Sequence, residues 1–229
     1  MWSKIPPALS ALVLALAMAS CASVTVDPVS ERPTSQMPDA LYVDSFATDR
    51  ANFKVDRTGP DLADFKKNLR LMLKTAIVAD LTARLVPALD ASKSVVPPGS
   101  HAWLVRGQFV TVKQGSRLLR SAIGFGAGGT KVETRVQVYD LADPSAPPIM
   151  TFSTTGGSGA EPGAILTYTT DPLSIAVGGV SGAAHGLSED TKRTARMITA
   201  QLSDYLYRRG WISQDRWIQP KQPNDSISW

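Results

Sequence analysis

Apolar and polar positions alternate most regularly between Lys131 and Tyr139. Val132, Thr134, Val136 and Val138 take one side, and Lys131, Glu133, Arg135 and Gln137 the other. A period of two with one polar side is the pattern of a strand in a sheet with one wet face. The segment lies inside a larger block, His101 to Gly157, that reads strand, glycine-rich connection, strand, proline-rich turn, strand. Gly99, Gly115 and the prolines between Pro144 and Pro148 punctuate it. Short connections between successive strands predict an antiparallel meander.

On either side of the block the period becomes helical. From Asp61, an N-cap candidate, Leu62, Phe65, Leu69, Met72, Leu73, Ala76 and Ile77 share one stripe. Leu81 and Leu85 continue it, and Pro87 stops it by disfavouring helix at Val86. Lys66, Lys67, Arg70 and Lys74 fall between these positions and read as the solvated face. A second helix is predicted from Ser188 as its cap to Arg209, with Gly210 as its stop. Glu189 and Asp190 suit its positive end, and Arg208 and Arg209 its negative end. Ala195, Ile198, Leu202, Tyr205 and Leu206 form its buried stripe, and Trp211 and Ile212 pin its exit against the sheet. Residues 40–47 read as a first strand. The predicted fold class is α+β, an antiparallel β-sheet of about four strands packed against two main helices. Its element order is β-α-β-β-β-α over residues 40–212, followed by a polar C-terminal tail at 213–229.

Residues 1–20 have the three parts of a lipoprotein signal peptide. Lys4 supplies the basic start, Ala8 to Met18 an apolar run too short to span a bilayer, and Ala19 and Ser20 the small residues before Cys21. Leu16 to Cys21 resembles a lipobox, with Met18 where leucine is usual. Cys21 is the only cysteine, and lipidation there explains a single cysteine in an exported chain. One acyl chain holds a protein to a membrane marginally, whereas two or more anchor it stably. Ala22 follows the cysteine in place of an aspartate that would signal inner-membrane retention. The expected address is therefore the outer membrane, lipid-anchored through Cys21 on the periplasmic face. Residues 21–39 read as the acylated cysteine and a flexible tether.

Composition narrows the chemistry. The chain has 229 residues, 43% of them hydrophobic, enough for one cored domain. Its net charge of +4 becomes +3 without Lys4 (4 − 1), and the cations are dispersed, so no nucleic-acid partner is expected. Gly124 to Gly129 formally matches the dinucleotide-binding glycine pattern, but a strand follows it where a helix must open. Arg117 and Arg120 beside it could receive an anion, though surface solvation is the plainer reading. His101 and His185 lack metal-ligand spacing, and Gly156-Gly157-Ser158-Gly159 misses the nucleophile-elbow pattern by one position. Leu173 to Leu187 carries Gly178, Gly182 and Gly186 four residues apart, yet is too short to span and reads as a glycine-rich connection. No catalytic, cofactor-binding or metal residues are expected, and lipidated Cys21 is the one candidate site residue.

Gly107-Gln108-Phe109, Gly115, Arg120, Gly124 to Gly128 and the valine-alternating strand from Val132 to Asp140 together resemble a bacterial lipoprotein family, domain of unknown function 4410. The resemblance covers roughly residues 40–212. It implies an envelope lipoprotein with an α+β domain and no established reaction. The element order is also loosely similar to the TolB amino-terminal domain and to the curli secretion lipoprotein CsgG. The function expected is a non-catalytic binding or scaffold module in the cell envelope, with an envelope protein partner possible. The alternatives are an oligomeric secretion or pore-associated component and, after that, a periplasmic hydrolase.

Overall fold

The alternating segment becomes an inner strand of a seven-stranded mixed sheet. The computed structural model describes residues 23–114, 130–157 and 182–222. Its strands are β1 (Ser23–Glu31), β2 (Ala40–Val43), β3 (Asn52–Lys54), β4 (Ala88–Asp90), β5 (Ala102–Lys113), β6 (Lys131–Asp140) and β7 (Met150–Gly157). Two helices, α1 (Gly59–Arg84) and α2 (Gly182–Arg208), accompany them. The strand order is β1-β7-β6-β5-β2-β4, with β3 also paired to β5.

The α+β class stands, but the antiparallel sheet of about four strands does not. Only β5, β6, β7 and β1 pair antiparallel; β2 and β4 pair parallel, as do β2 and β5 and β3 and β5. Parallel neighbours need a crossover, and α1 supplies it between β2 and β4. The strands that periodicity misses are short or punctuated. β3 and β4 have three residues each, and β2 and β3 are two pieces lying along one side of β5, bridged at Ala47 and Gln108. The flexible tether predicted for 21–39 is replaced over Ser23–Glu31 by β1, whose Val24 and Val26 are buried. Pro28 is tolerated there because β1 is an edge strand, with its register shift between Pro28 and Ser30.

Alternation is honoured throughout the antiparallel part. Val132, Thr134, Val136 and Val138 are fully or nearly fully buried beneath the helices, and Thr134 and Thr154 share a 2.7 Å hydrogen bond across β6 and β7. The apolar stripe of α1 turns Leu69, Leu73, Ile77 and Leu81 into the same layer. Lys74 departs from its predicted solvated face. It is buried and bonds both carboxylate oxygens of Asp90 at 2.8 Å. Helix α1 also starts before Asp61. Its N-cap is Thr58, and Gly59 adopts a left-handed φ of 54° to admit Pro60 at the helix start.

Helix α2 begins at Gly182, so Ser188 is an interior helical residue with a buried hydroxyl and not the cap. Ala183 and Ala184 supply the helix propensity that carries it back through a glycine-containing segment. At its other end Gly210, with φ 71°, ends the helix as predicted: Gly210 N–H bonds the Tyr207 carbonyl and Trp211 N–H the Leu206 carbonyl.

Candidate functional site

The strand pairing gives the sheet two ends with different contents. Strand β1 starts, β5 and β7 finish, and β6 starts at one of them, here called the entry end. Cys21, Arg117, Arg120 and Gly124 to Gly129 lie outside the described residues, as do Ser158, Gly159 and Leu173 to Ser181. The strand ends to which Cys21 and the glycine run attach nonetheless converge here, brought together by topology and not by sequence proximity.

The register makes the entry end concrete. Ser23 pairs with Gly157, Gly157 with Lys131, Lys131 with Lys113, and Lys113 with Lys54. Strands about 4.7–4.9 Å apart therefore carry three lysines side by side on the sheet face opposite the helices. Lys131 Nζ pairs with Glu133 at 2.6 Å. Burial raises the Glu133 carboxyl pKa, but hydrogen bonds from Lys131 and Thr111 and the fields of Lys131 and Lys113 outweigh it, leaving it lowered. Lys54 is exposed and makes no ion pair among the described residues. Beneath the row, Thr130 donates a hydrogen bond to buried Asp190, which lies 3.6 Å from Arg193. Gly157 is required at this point because a Cβ would overlap the Thr130 carbonyl, and Gly156 because one would overlap Val24.

The opposite, aromatic end is closed. Trp103, Tyr205 and Trp211 meet with ring centroids 5.9–6.4 Å apart. Tyr205 Oη donates to the Arg32 carbonyl at 2.8 Å, and Arg208 holds both Glu31 oxygens and Asp204 at 2.8 Å. Burial lowers the Arg208 pKa, but its bonds to Glu31 and Asp204 prevail and raise it. The first part of the polar tail docks here: Trp217 Nε1 donates to Asp204 at 3.1 Å and its ring stacks on Tyr207. Beyond it, the Lys221 carbonyl accepts from Val26 N–H at 2.7 Å, which covers part of the free edge of β1.

Of the histidines, His101 belongs to the aromatic end, where its backbone exchanges hydrogen bonds with Asp39. His185 is in the first turns of α2, and its side chain is outside the described ones. One serine-lysine-carboxylate cluster occurs among the described residues, Ser92, Lys74 and Asp90. Ser92 Oγ donates to Asp90 at 2.7 Å and lies 3.5 Å from Lys74 Nζ. Lys74 Nζ is held by both Asp90 oxygens at 2.8 Å and Ser92 Oγ by the same carboxylate, so the cluster reads as an ion pair with a bonded serine. No group of three or more metal-capable side chains occurs among the described residues, and no described helix is long and apolar enough to cross a membrane.

The lysine row is the feature that sequence reading missed. Lys113 and Lys131 flank the connection between two predicted strands, so their pairing was legible in principle. Lys54 was not, because its strand has three residues and a parallel partner.

A family model described as a domain of unknown function, DUF4410, matches residues 41–178. No curated protein sequence matches the chain. Among solved structures, a PelC dodecamer from Paraburkholderia phytofirmans is 14% identical with a TM-score of 0.36, covering 74% of this chain and 96% of that one. A neuraminyllactose-binding hemagglutinin homolog from Helicobacter pylori is 8% identical with a TM-score of 0.39, covering 80% and 95%. TM-scores below 0.5 carry no argument about what this chain does.

Proposed function

The chain belongs to the DUF4410 family, and we propose that it is an outer-membrane lipoprotein with a non-catalytic periplasmic domain. That domain would act as a binding or scaffold module of the cell envelope. The observation that carries the reading is Cys21 and its setting. The only cysteine follows an apolar run and two small residues, and stands two positions before the first strand of the domain. Acylation there anchors the folded unit at its own first strand. Among the described residues the helices cover one face of the sheet, and its polar face would meet another envelope component.

The test is Cys21→Ser in the producing bacterium, with labelled palmitate and fractionation as readouts. Label is expected to vanish and the protein to leave the outer-membrane fraction. Because residue 21 precedes β1, the variant domain should fold normally, and its circular dichroism checks this. Retained label, or unchanged outer-membrane fractionation, would refute the reading.

A further inference from the structure

We propose that the lysine row Lys54-Lys113-Lys131 rests on the anionic phospholipid headgroups of the bilayer that holds Cys21, so that the domain docks by its entry end. The inference rests on the lipoprotein reading and adds an orientation and a contact surface to it.

Chain length makes the first argument. Only Ala22 separates Cys21 from Ser23, and those two chain steps reach about 7 Å at most. Ser23 is already paired with Gly157, so no tether lifts the sheet away from the anchor. The row containing Ser23 runs across the strands through Gly157, Lys131, Lys113 and Lys54. At the usual strand spacing, Lys131 lies about 10 Å from Ser23 and Lys54 about 19 Å from it. With the strands standing on the membrane, all three lysines share the depth of the anchor and fall within about one screening length of the lipid phosphates.

Charge makes the second. On the face opposite the helices, among the described residues, the row sets three lysines against one carboxylate, Glu133, for a local excess of +2 (3 − 1). Among the described residues, the other charges at this end lie on the helical layer and balance: Asp56, Asp61, Asp64, Glu189 and Asp190 against Arg57, Lys66, Lys67, Lys192 and Arg193. Arg57 and Lys66 are further occupied over the rings of Phe65 and Phe53. The aromatic end, by contrast, matches Arg208 to Glu31 and Asp204. Among the described residues the excess of cations therefore sits at the end nearest the anchor, and basic groups near an anionic leaflet each favour surface association.

The experiment uses the mature lipidated protein reconstituted in vesicles. With Cys21 acylated, a cysteine introduced at exposed Thr155, near the entry end, or at Ser145, at the aromatic end, is the only free thiol and takes a fluorophore. A headgroup-attached quencher is expected to quench the Thr155→Cys label and spare the Ser145→Cys label. In vesicles containing phosphatidylglycerol, combining K54Q, K113Q and K131Q should lower quenching at position 155 by about half, since three surface cations are removed. In purely phosphatidylcholine vesicles the same change should have no effect. Equal quenching at both positions, or a triple variant indifferent to phosphatidylglycerol, overturns the docking proposal while the protein still floats with the vesicles. Protein that lacks acyl chains and does not float overturns the lipoprotein reading, and this inference with it.

Discussion

The two ends of the domain are built from the same strands and helices, yet differ in how completely they satisfy themselves. At the aromatic end, Trp103, Tyr205 and Trp211 pack together and Arg208 binds two carboxylates. The polar residues after Ile212 return to dock on α2. At the entry end, three aligned lysines face a single glutamate, and the chain toward Cys21 begins. The difference separates an end closed on itself from the end proposed to meet the bilayer. Bonds that close on themselves hold the fold, and charges left over are available to a surface outside it.

The largest expected effect breaks the closed end. Trp103→Ala removes a side chain only 2% exposed from the three-ring cluster and should cost about 3–5 kcal/mol in chemical denaturation. A cost below ~1 kcal/mol would mean that the cluster does not hold this end. Next, Gly157→Ala probes the entry end through packing, because its methyl must displace the Thr130 backbone. A loss of about 1–3 kcal/mol is expected, with amide exchange quickened around β6 and β7 and unchanged around Trp103.

Smaller effects refine the contrast. At the parallel edge, a hydrogen bond from Lys74 leads the causes that hold the Asp90 carboxyl at about 2, below its ordinary 3.8. A depressed carboxylate stabilises the folded state fully above its unfolded pKa. The contribution should therefore fade as pH drops from about 4 toward about 2, by on the order of 1 kcal/mol. Asp90→Asn should flatten that acid limb and lower stability near neutrality, since it leaves Lys74 buried without its carboxylate. Smallest of all, Arg208→Gln should cost roughly 0.2–1 kcal/mol and be partly masked by salt, because the Arg208 side chain is half exposed.

Much of the aromatic end was legible in the sequence, because its parts follow local rules. The stripe of α2, the Gly210 stop and the return of Trp211 toward the sheet each depend on residues within a few positions of one another. The valine alternation of β6 was equally plain. The sheet as a whole was not. Pro28 disguised β1, three-residue strands leave too short a pattern to read, and parallel pairing joins segments that are distant in the chain. Lys74 looked like a surface residue because its partner Asp90 lies 16 positions away across a crossover. The lysine row stayed hidden for the same reason: it exists only in the register, across three strands.

Anchoring through Cys21 requires a mature chain that begins there and carries lipid. Intact mass and fragment spectra of the protein extracted in detergent from bacterial envelopes would decide this. A chain starting at Cys21, with a diacylglyceryl thioether and an amide-linked acyl group, is the expected result. A mature chain starting at another residue, or an unmodified Cys21, would contradict it.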